Sequence, residues 1–283
     1  MSRLVRLFVE RAGLGGSTPA EVMSDLLGRL RRESRGAVGS EQQMQFFMRR
    51  RKIGSVEIVR DLVCDGMLEP IGGAYSAGFK VLLNKQANAQ RLRFTIAHEL
   101  CHTFFYELVP EIKFVPHEAD PTEERLCDFG AAELLIPTAS VQRAARRLAV
   151  CLESLHLLAE EYSVSLTAMF LRLRSLRLWN CEFSGWHRMT NGTFVLEHFY
   201  GGKSLPWEWH DKTILSTAWQ SCKTAFGHTF VSYQDERGER YYRPTRFEVR
   251  RFGERVLALW GAKIEPSLPR YPLFAVSNDQ RTA

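Results

Sequence analysis

Long apolar runs are missing from this sequence. None approaches the roughly 20 residues that a membrane-spanning helix needs. The opening stretch, MSRLVRLFVERAG, is broken by Arg3, Arg6, Glu10 and Arg11, so it does not read as a secretory signal. The six cysteines (Cys64, Cys101, Cys127, Cys151, Cys181 and Cys222) form no C-x-x-C pair, which argues against a zinc ribbon and a disulfide framework. These absences lead us to expect a cytoplasmic protein with reduced thiols and no membrane partner. There is also no internal repeat and no low-complexity tract.

What is present is ordinary in bulk. The 283 residues are 45% hydrophobic and 25% charged, enough for one large domain or two to three small ones. The net charge is +6 and the pI about 9.1. Positive charge is concentrated in MRRRK (48–52) and RAARR (143–147). Such runs are mostly solvated helix faces, with an acidic partner or nucleic acid as the functional alternative.

Along the chain, residues 17–35 predict a basic helix capped by Ser17 or Thr18, with Pro19 in its first turn. The spacing of Val56, Ile58, Val59, Leu62 and Val63 predicts a second helix over 55–67. AYSAGFKVLLNK (74–85) reads as strand, bent by Gly72, Gly73 and Gly78. Two strong helices follow, and the pattern stays helical from Thr138 to Trp179. Past 180 the character changes. Asn191-Gly192 is a hairpin signal, 210–226 predicts a helix, and HTFVSYQ, RYYRPTRFEVRRF and RVLALWG read as strands. The tail from Pro266 reads as irregular. The domains expected are 1–137, 138–180 and 181–283.

The chemistry is concentrated in TIAHELCHTFFYE (95–107). Phe94, Ala97, Leu100, Cys101, Phe104 and Phe105 have helical spacing, which places His98 and His102 one turn apart and off the apolar stripe. Two imidazoles at i and i+4 can reach one ion, and Glu99 can reach a water beside it. A catalytic zinc takes three protein ligands. The third is expected from DPTEERLCDFGAAELLIP (120–137), a helix capped by Asp120, started by Pro121 and stopped before Pro137. Glu124 and Asp128 share one face of it. One would bind the ion; the other would take the free N–H of a ligand histidine, His98 in first place. Glu123 competes as ligand, but as the third helical residue it completes a capping box with Asp120.

VLLNKQANAQRLRFTIAHELCH followed by EERLCDFGAAELLIP resembles the ImmA/IrrE family of zinc metallopeptidases. The matching residues are Asn84, Arg93, Phe94, His98, Glu99, His102, Glu124, Asp128, Ala131, Ala132, Leu134, Leu135 and Pro137. The resemblance covers about residues 75–140. It implies a zincin-like fold, a Zn2+ ion held by His98, His102 and Glu124, and Glu99 as catalytic base. The sequence departs from the family pattern at Cys101, where glycine is common, at Cys127 and Asp128, which replace a small residue and asparagine, and at Gly130, which replaces phenylalanine.

The resemblance extends to LAEEYSVSLTAMFLRLRSLRL (158–178), which is similar to the helix-turn-helix-like segment that follows the peptidase motif. Ser163 or Ser165 would cap its second helix, and Arg172, Arg174 and Arg177 could meet phosphates. A helix pair packed on the peptidase core is the plainer reading, since no base-reading set is evident. The radiation-response branch implies a GAF-like third domain after 180. No ligand site is legible there. His187, His198, His210 and His228 are dispersed, and Trp207 and Trp209 fit core or interface packing better than a binding edge.

The fold class expected is therefore α+β: a zincin-like metallopeptidase domain, a helix-turn-helix-like segment and a C-terminal α+β sensor or docking domain. The expected reaction is peptide-bond hydrolysis, with Glu99 moving the proton and Tyr106 or His117 as candidate oxyanion stabilisers. From the resemblance, the substrate is a helix-turn-helix repressor whose cleavage derepresses stress-response or mobile-element genes. Two rivals stand beside this: a non-catalytic zinc-stabilised regulator that binds DNA or a repressor, and a metal hydrolase of non-protein substrates. Two histidines and a carboxylate suit zinc, without excluding manganese.

Overall fold

The computed structural model describes residues 1–14, 16–34, 40–73, 77–85, 89–110, 120–201, 207–209, 213–234 and 240–261. The chain divides into two units, Met1–Gln142 with Ala159–Arg172, and Arg143–Leu158 with Leu173–Ala283. The helical stretch 138–180 is shared between them. As expected, the architecture is mixed α and β.

The first unit begins with α1 (Arg3–Arg11), α2 (Pro19–Glu33) and α3 (Ser40–Arg50). Thr18 and Glu21 form a reciprocal capping box on α2, with Pro19 in its first turn. Then come β1 (Ile53–Val59), β2 (Gly66–Pro70) and β3 (Phe79–Asn84), ordered β1-β3-β2. β1 runs parallel to the central β3, and β2 runs antiparallel to it as an edge. The helix expected over 55–67 is therefore two strands and a link. Val56, Ile58 and Val59 are β-branched, which suits a pleated surface better than a helix. The apolar spacing there marks no buried face either, because Ile58 and Val63 are exposed.

The long α4 (Ala89–Leu108) and α5 (Pro121–Leu135) pack together and against this sheet and α2. Phe8 stacks on Phe105 at 4.3 Å, and Phe79, Val81, Ala97, Leu100 and Phe104 fill the core. Small residues let the helices approach. A Cβ on Gly130 would stand 2.6 Å from Cys101 Sγ and 3.1 Å from Met23 Cγ. Two departures from the family pattern thus explain each other: the sulfur at 101 occupies space that a larger residue at 130 would need.

The basic run 48–52 is not simply a solvated face. Arg51 is buried, donates to Thr103 Oγ1 at 2.9 Å and to Glu107 at 2.7 Å, and lies over the Phe104 ring. At the end of α5, buried Glu133 gathers Arg31, Arg172 and Thr138. α6 (Thr138–Ala145), α7 (Leu152–Glu161) and α8 (Leu166–Ser175) follow. Ser165, not Ser163, caps α8 by accepting from the Ala168 N–H; Ser163 takes a positive φ of 53°. Arg172 also donates to the Ile136 carbonyl, and Arg174 to that of Gly201. Of the three α8-region arginines that could have met phosphates, Arg172 is buried, Arg174 is half-buried and bonded, and Arg177 is exposed, in keeping with the plainer reading of a packed helix pair.

The second unit contains an antiparallel sheet ordered β5-β4-β9-β8-β7-β6. The strands are β4 (Glu182–Arg188), β5 (Phe194–Tyr200), β6 (Trp207–Trp209), β7 (Ala225–Gln234), β8 (Arg240–Phe252) and β9 (Arg255–Trp260). The Asn191-Gly192 turn joins β4 to β5; Asn191 Oδ1 accepts from the Thr193 N–H at 3.0 Å, and Gly192 has φ +87°. The helix expected over 210–226 is shorter, α9 (Thr213–Ser221), because Ala225 and Phe226 already belong to β7. Leu215 and Ala218 of α9 pack on Trp186, Phe247, Val249, Val256, Ala258 and Trp260. Trp207 and Trp209 lie on β6. His210 and the tail from Pro266 lie outside the described residues.

Two predictions follow from this packing. Gly130→Ala should cost about 1–3 kcal/mol by overpacking, and Cys101→Gly in the same chain should recover most of it. Denaturant unfolding of both variants reads the coupling; additive losses would separate the two sites. In the second unit, Glu248 is wholly buried, accepts from the Leu152 N–H at 2.7 Å, and is pushed up to about 7 by burial, against that bond and the Arg250 charge and with Glu153 adding to the rise. Its folded pKa lies above its unfolded one, so stability falls as pH rises from about 4.5 through about 7. Glu248→Gln should stabilise this unit by roughly 2 kcal/mol at pH 8 and hardly at pH 4.5, read by thermal midpoints at the two pH values.

Candidate metal centre

Helical spacing sets His98 and His102 on one side of α4, with ring centroids 4.9 Å apart. Packing of α5 brings Glu124 to them. His98 Nε2 lies 3.1 Å from His102 Nε2 and 3.1 Å from Glu124 Oε2, and His102 Nε2 lies 3.6 Å from Glu124 Oε1. A tetrahedral ion with bonds near 2.0 Å would need ligand separations of about 3.3 Å. The three spacings bracket that value.

The other ring nitrogens decide the protonation. His98 Nδ1 is 2.9 Å from Asp128 Oδ1, and His102 Nδ1 is 2.7 Å from Glu123 Oε1. Each carboxylate accepts, so each Nδ1 carries the proton and each Nε2 presents a lone pair. Two lone pairs and the Glu124 carboxylate then face one point, an arrangement that only a cation satisfies. A proton is the minimal one. Burial opposes a charged His98, yet Asp128 and Glu124 outweigh burial and raise its pKa to about 10. His98 in turn holds the Glu124 and Asp128 carboxyls below their usual range. The donor set of two nitrogens and one carboxylate fits a divalent metal such as zinc. The three donors form one of two groups with metal-binding spacing among the described residues.

The second group is His102, Glu123 and Cys127, all buried. It is the layer behind the first, since it shares His102 and holds that ring through Glu123. Here the sequence reasoning needs a correction. Asp120 caps α5 by accepting from the Thr122 and Glu123 N–H groups, but the Glu123 side chain turns to His102. An acidic third helical residue fits a capping box and an imidazole partner equally well in sequence. The available signal was the adjacent pair Glu123-Glu124, which can serve two neighbouring rings. Asp128 lies where a partner for His98 was expected.

Glu99 is buried beside the cluster but outside both groups. Burial raises its pKa, opposed by the two histidines, and the Leu68 N–H donates to it. That N–H belongs to β2, the sheet edge. Gly66 permits the approach: a Cβ there would overlap the Thr95 methyl and lie 3.4 Å from Glu99 Oε1. Tyr106 is buried and meets Phe79 edge-on at 5.0 Å. The ring thus packs in the core, and the oxyanion role expected of Tyr106 stays an expectation. His117 lies outside the described residues.

Other residues of the matching motif act as props. Arg93 donates to the Tyr162 and Ser163 carbonyls at 3.1 and 3.0 Å, closing the C-terminus of α7. Asn84 donates to the Leu62 and Cys64 carbonyls.

Residues 71–174 match the family model described as the IrrE N-terminal-like domain, a peptidase family. The matched stretch contains every residue of the cluster. The match stops before the second sheet, so the GAF-like resemblance stays an expectation. Among solved structures, a Mycobacterium tuberculosis transcriptional regulator is similar at 16% identity and a TM-score of 0.47, over 91% of this chain and 79% of that one. The search of curated proteins finds no match. No helix among the described residues is long and apolar enough to cross a membrane.

The two outer carboxylates should be felt in metal binding. Glu123→Gln and Asp128→Asn each replace a charged acceptor with an amide. Each should weaken Zn2+ affinity by about 10- to 100-fold, with the larger loss at buried Glu123. Competition with a chromophoric chelator measures both. Parent-like affinity in Glu123→Gln would reduce that residue to packing.

Proposed function

We propose that this chain is a cytoplasmic zinc-dependent endopeptidase. Its ligands are His98, His102 and Glu124, its base is Glu99, and Asp128 and Glu123 orient the two imidazoles. One observation carries the reading: a carboxylate that belongs to no metal-binding group is held buried next to three convergent acceptors. Zinc bound there supplies a Lewis acid for a carbonyl and makes water more acidic. Glu99, with its pKa raised by burial, accepts the proton of the attacking water and delivers it to the leaving amine.

The sheet edge supports a peptide as substrate. β3 takes the inner hydrogen bonds of β2, while the Leu68 N–H turns outward to Glu99. An extended segment lying along that edge would have its backbone beside the base. The substrate we assign is a helix-turn-helix repressor, and its cleavage would derepress stress-response or mobile-element genes. This assignment follows the resemblance to the ImmA/IrrE peptidases. The second unit has no group of metal-binding spacing among its described residues. We assign it sensing or partner docking. Direct DNA binding through α8 is weakened by the inward course of Arg172 and Arg174.

Glu99→Gln tests the reading. The variant should keep its Zn2+ content and its binding to a candidate helix-turn-helix repressor, and cleave it at least roughly 100-fold more slowly. His98→Ala should lose the ion. Gel assays of cleavage, with metal analysis of both variants, give the answer. If Glu99→Gln relieves repression in cells as well as the parent does, the chain is a zinc-stabilised regulator that works by binding.

A further inference from the structure

β2 can present its outer backbone to the centre only if the link before it is fixed. That link, Arg60–Asp65, has little apolar anchorage. Leu62 is half-buried, Val63 is fully exposed, and the remaining residues are exposed. A link without a buried face must be held by polar contacts or move. Beside the local contact of Cys64 Sγ with the Gly66 carbonyl, one residue at the end of β3 and one on α4 supply such contacts. The Asn84 amide donates to the Leu62 carbonyl at 2.8 Å and to the Cys64 carbonyl at 3.3 Å, and its backbone N–H donates to the Asp65 carbonyl at 2.9 Å. Arg91 pairs with the Asp65 carboxylate. Gly66, next in the chain, is where the backbone closes on Thr95 and Glu99.

We propose that Asn84 is a positioning residue for the peptide substrate. Its hydrogen bonds described above run to carbonyls of the link. It fixes the link so that the β2 edge stays aligned with the base, and an extended peptide finds a preformed strand to lie along. The proposal rests on the peptidase reading and adds to it a determinant of substrate binding. The energetic reason is preorganisation. Backbone hydrogen bonds to a fixed edge cost less ordering than bonds to one that must first be immobilised. Asn84 suits the task because it donates twice from one planar amide.

Asn84→Asp has the same shape but places an acceptor against two carbonyls. Two probes divide the question in the zinc-loaded full chain. Acetohydroxamate reaches the metal alone; a succinyl hydroxamate with a Leu-Phe tail adds an extended peptide. The variant should bind acetohydroxamate and Zn2+ like the parent, while losing about tenfold of the extra affinity conferred by the tail. In the metal-free protein, hydrogen exchange of residues 62–68 should quicken in the variant. Undiminished tail affinity, an equal loss on both probes, or unchanged exchange would each overturn the proposal. A parent that binds neither probe would overturn the peptidase reading itself, and the exchange result would still show whether Asn84 holds the link.

Discussion

The two Nδ1–H bonds, His98 to Asp128 and His102 to Glu123, are the constraint on which the rest depends. Each fixes a tautomer, and together they turn both Nε2 lone pairs toward Glu124. Without them either ring could present an N–H to the centre and repel a cation. The bonds span two helices, so α4 and α5 must be held at a set distance and rotation. That requirement explains the small residues between them. Gly130 and Cys101 settle the distance by sharing one space. The Glu133–Arg172 pair and its Thr138 contact settle the far end of α5.

Part of the charge in this unit is internal wiring. Arg51 braces α4 through Thr103 and Glu107, Arg93 closes α7, and Arg172 anchors α5. A basic pI invites a search for nucleic acid, yet these arginines are spent on carbonyls and carboxylates. A guanidinium turned inward onto carbonyls and carboxylates offers little to a phosphate. Breaking such a pair would leave an uncompensated buried charge.

How much of this was legible beforehand follows from the range of each signal. The i, i+4 histidines, the glutamate between them and the capped helix with Glu124 are local patterns, and a helix converts spacing directly into a shared face. Asp128 was legible for the same reason. Glu123 was not, because its role depends on how α5 is rotated against α4, which no single helix encodes. The strands over 53–70 were missed because apolar residues three and four apart also occur in β-branched runs. What decides there is pairing with β3, residues away in sequence. The roles of Asn84 and Arg93 were hidden likewise: the motif marked both residues, but their partners lie in a link and a helix end that only the fold brings near.

The case for an enzyme over a binding module comes down to the cost of Glu99. A buried carboxylate loses hydration worth several kcal/mol, and proteins tolerate that when the group is paired or at work. Asp128 and Glu123 are paired with imidazoles, and Glu124 faces the same ion site. Glu99 has the Leu68 N–H and the more distant charge of the histidines, and burial still raises its pKa. A purely structural metal site gains nothing from it, since the three donors and their two carboxylate partners are complete without it. A leucine or glutamine there would fill the space with less penalty. On the function proposed above, a proton acceptor of raised pKa, set between a metal centre and the β2 edge, is the group that deprotonates a water beside a peptide.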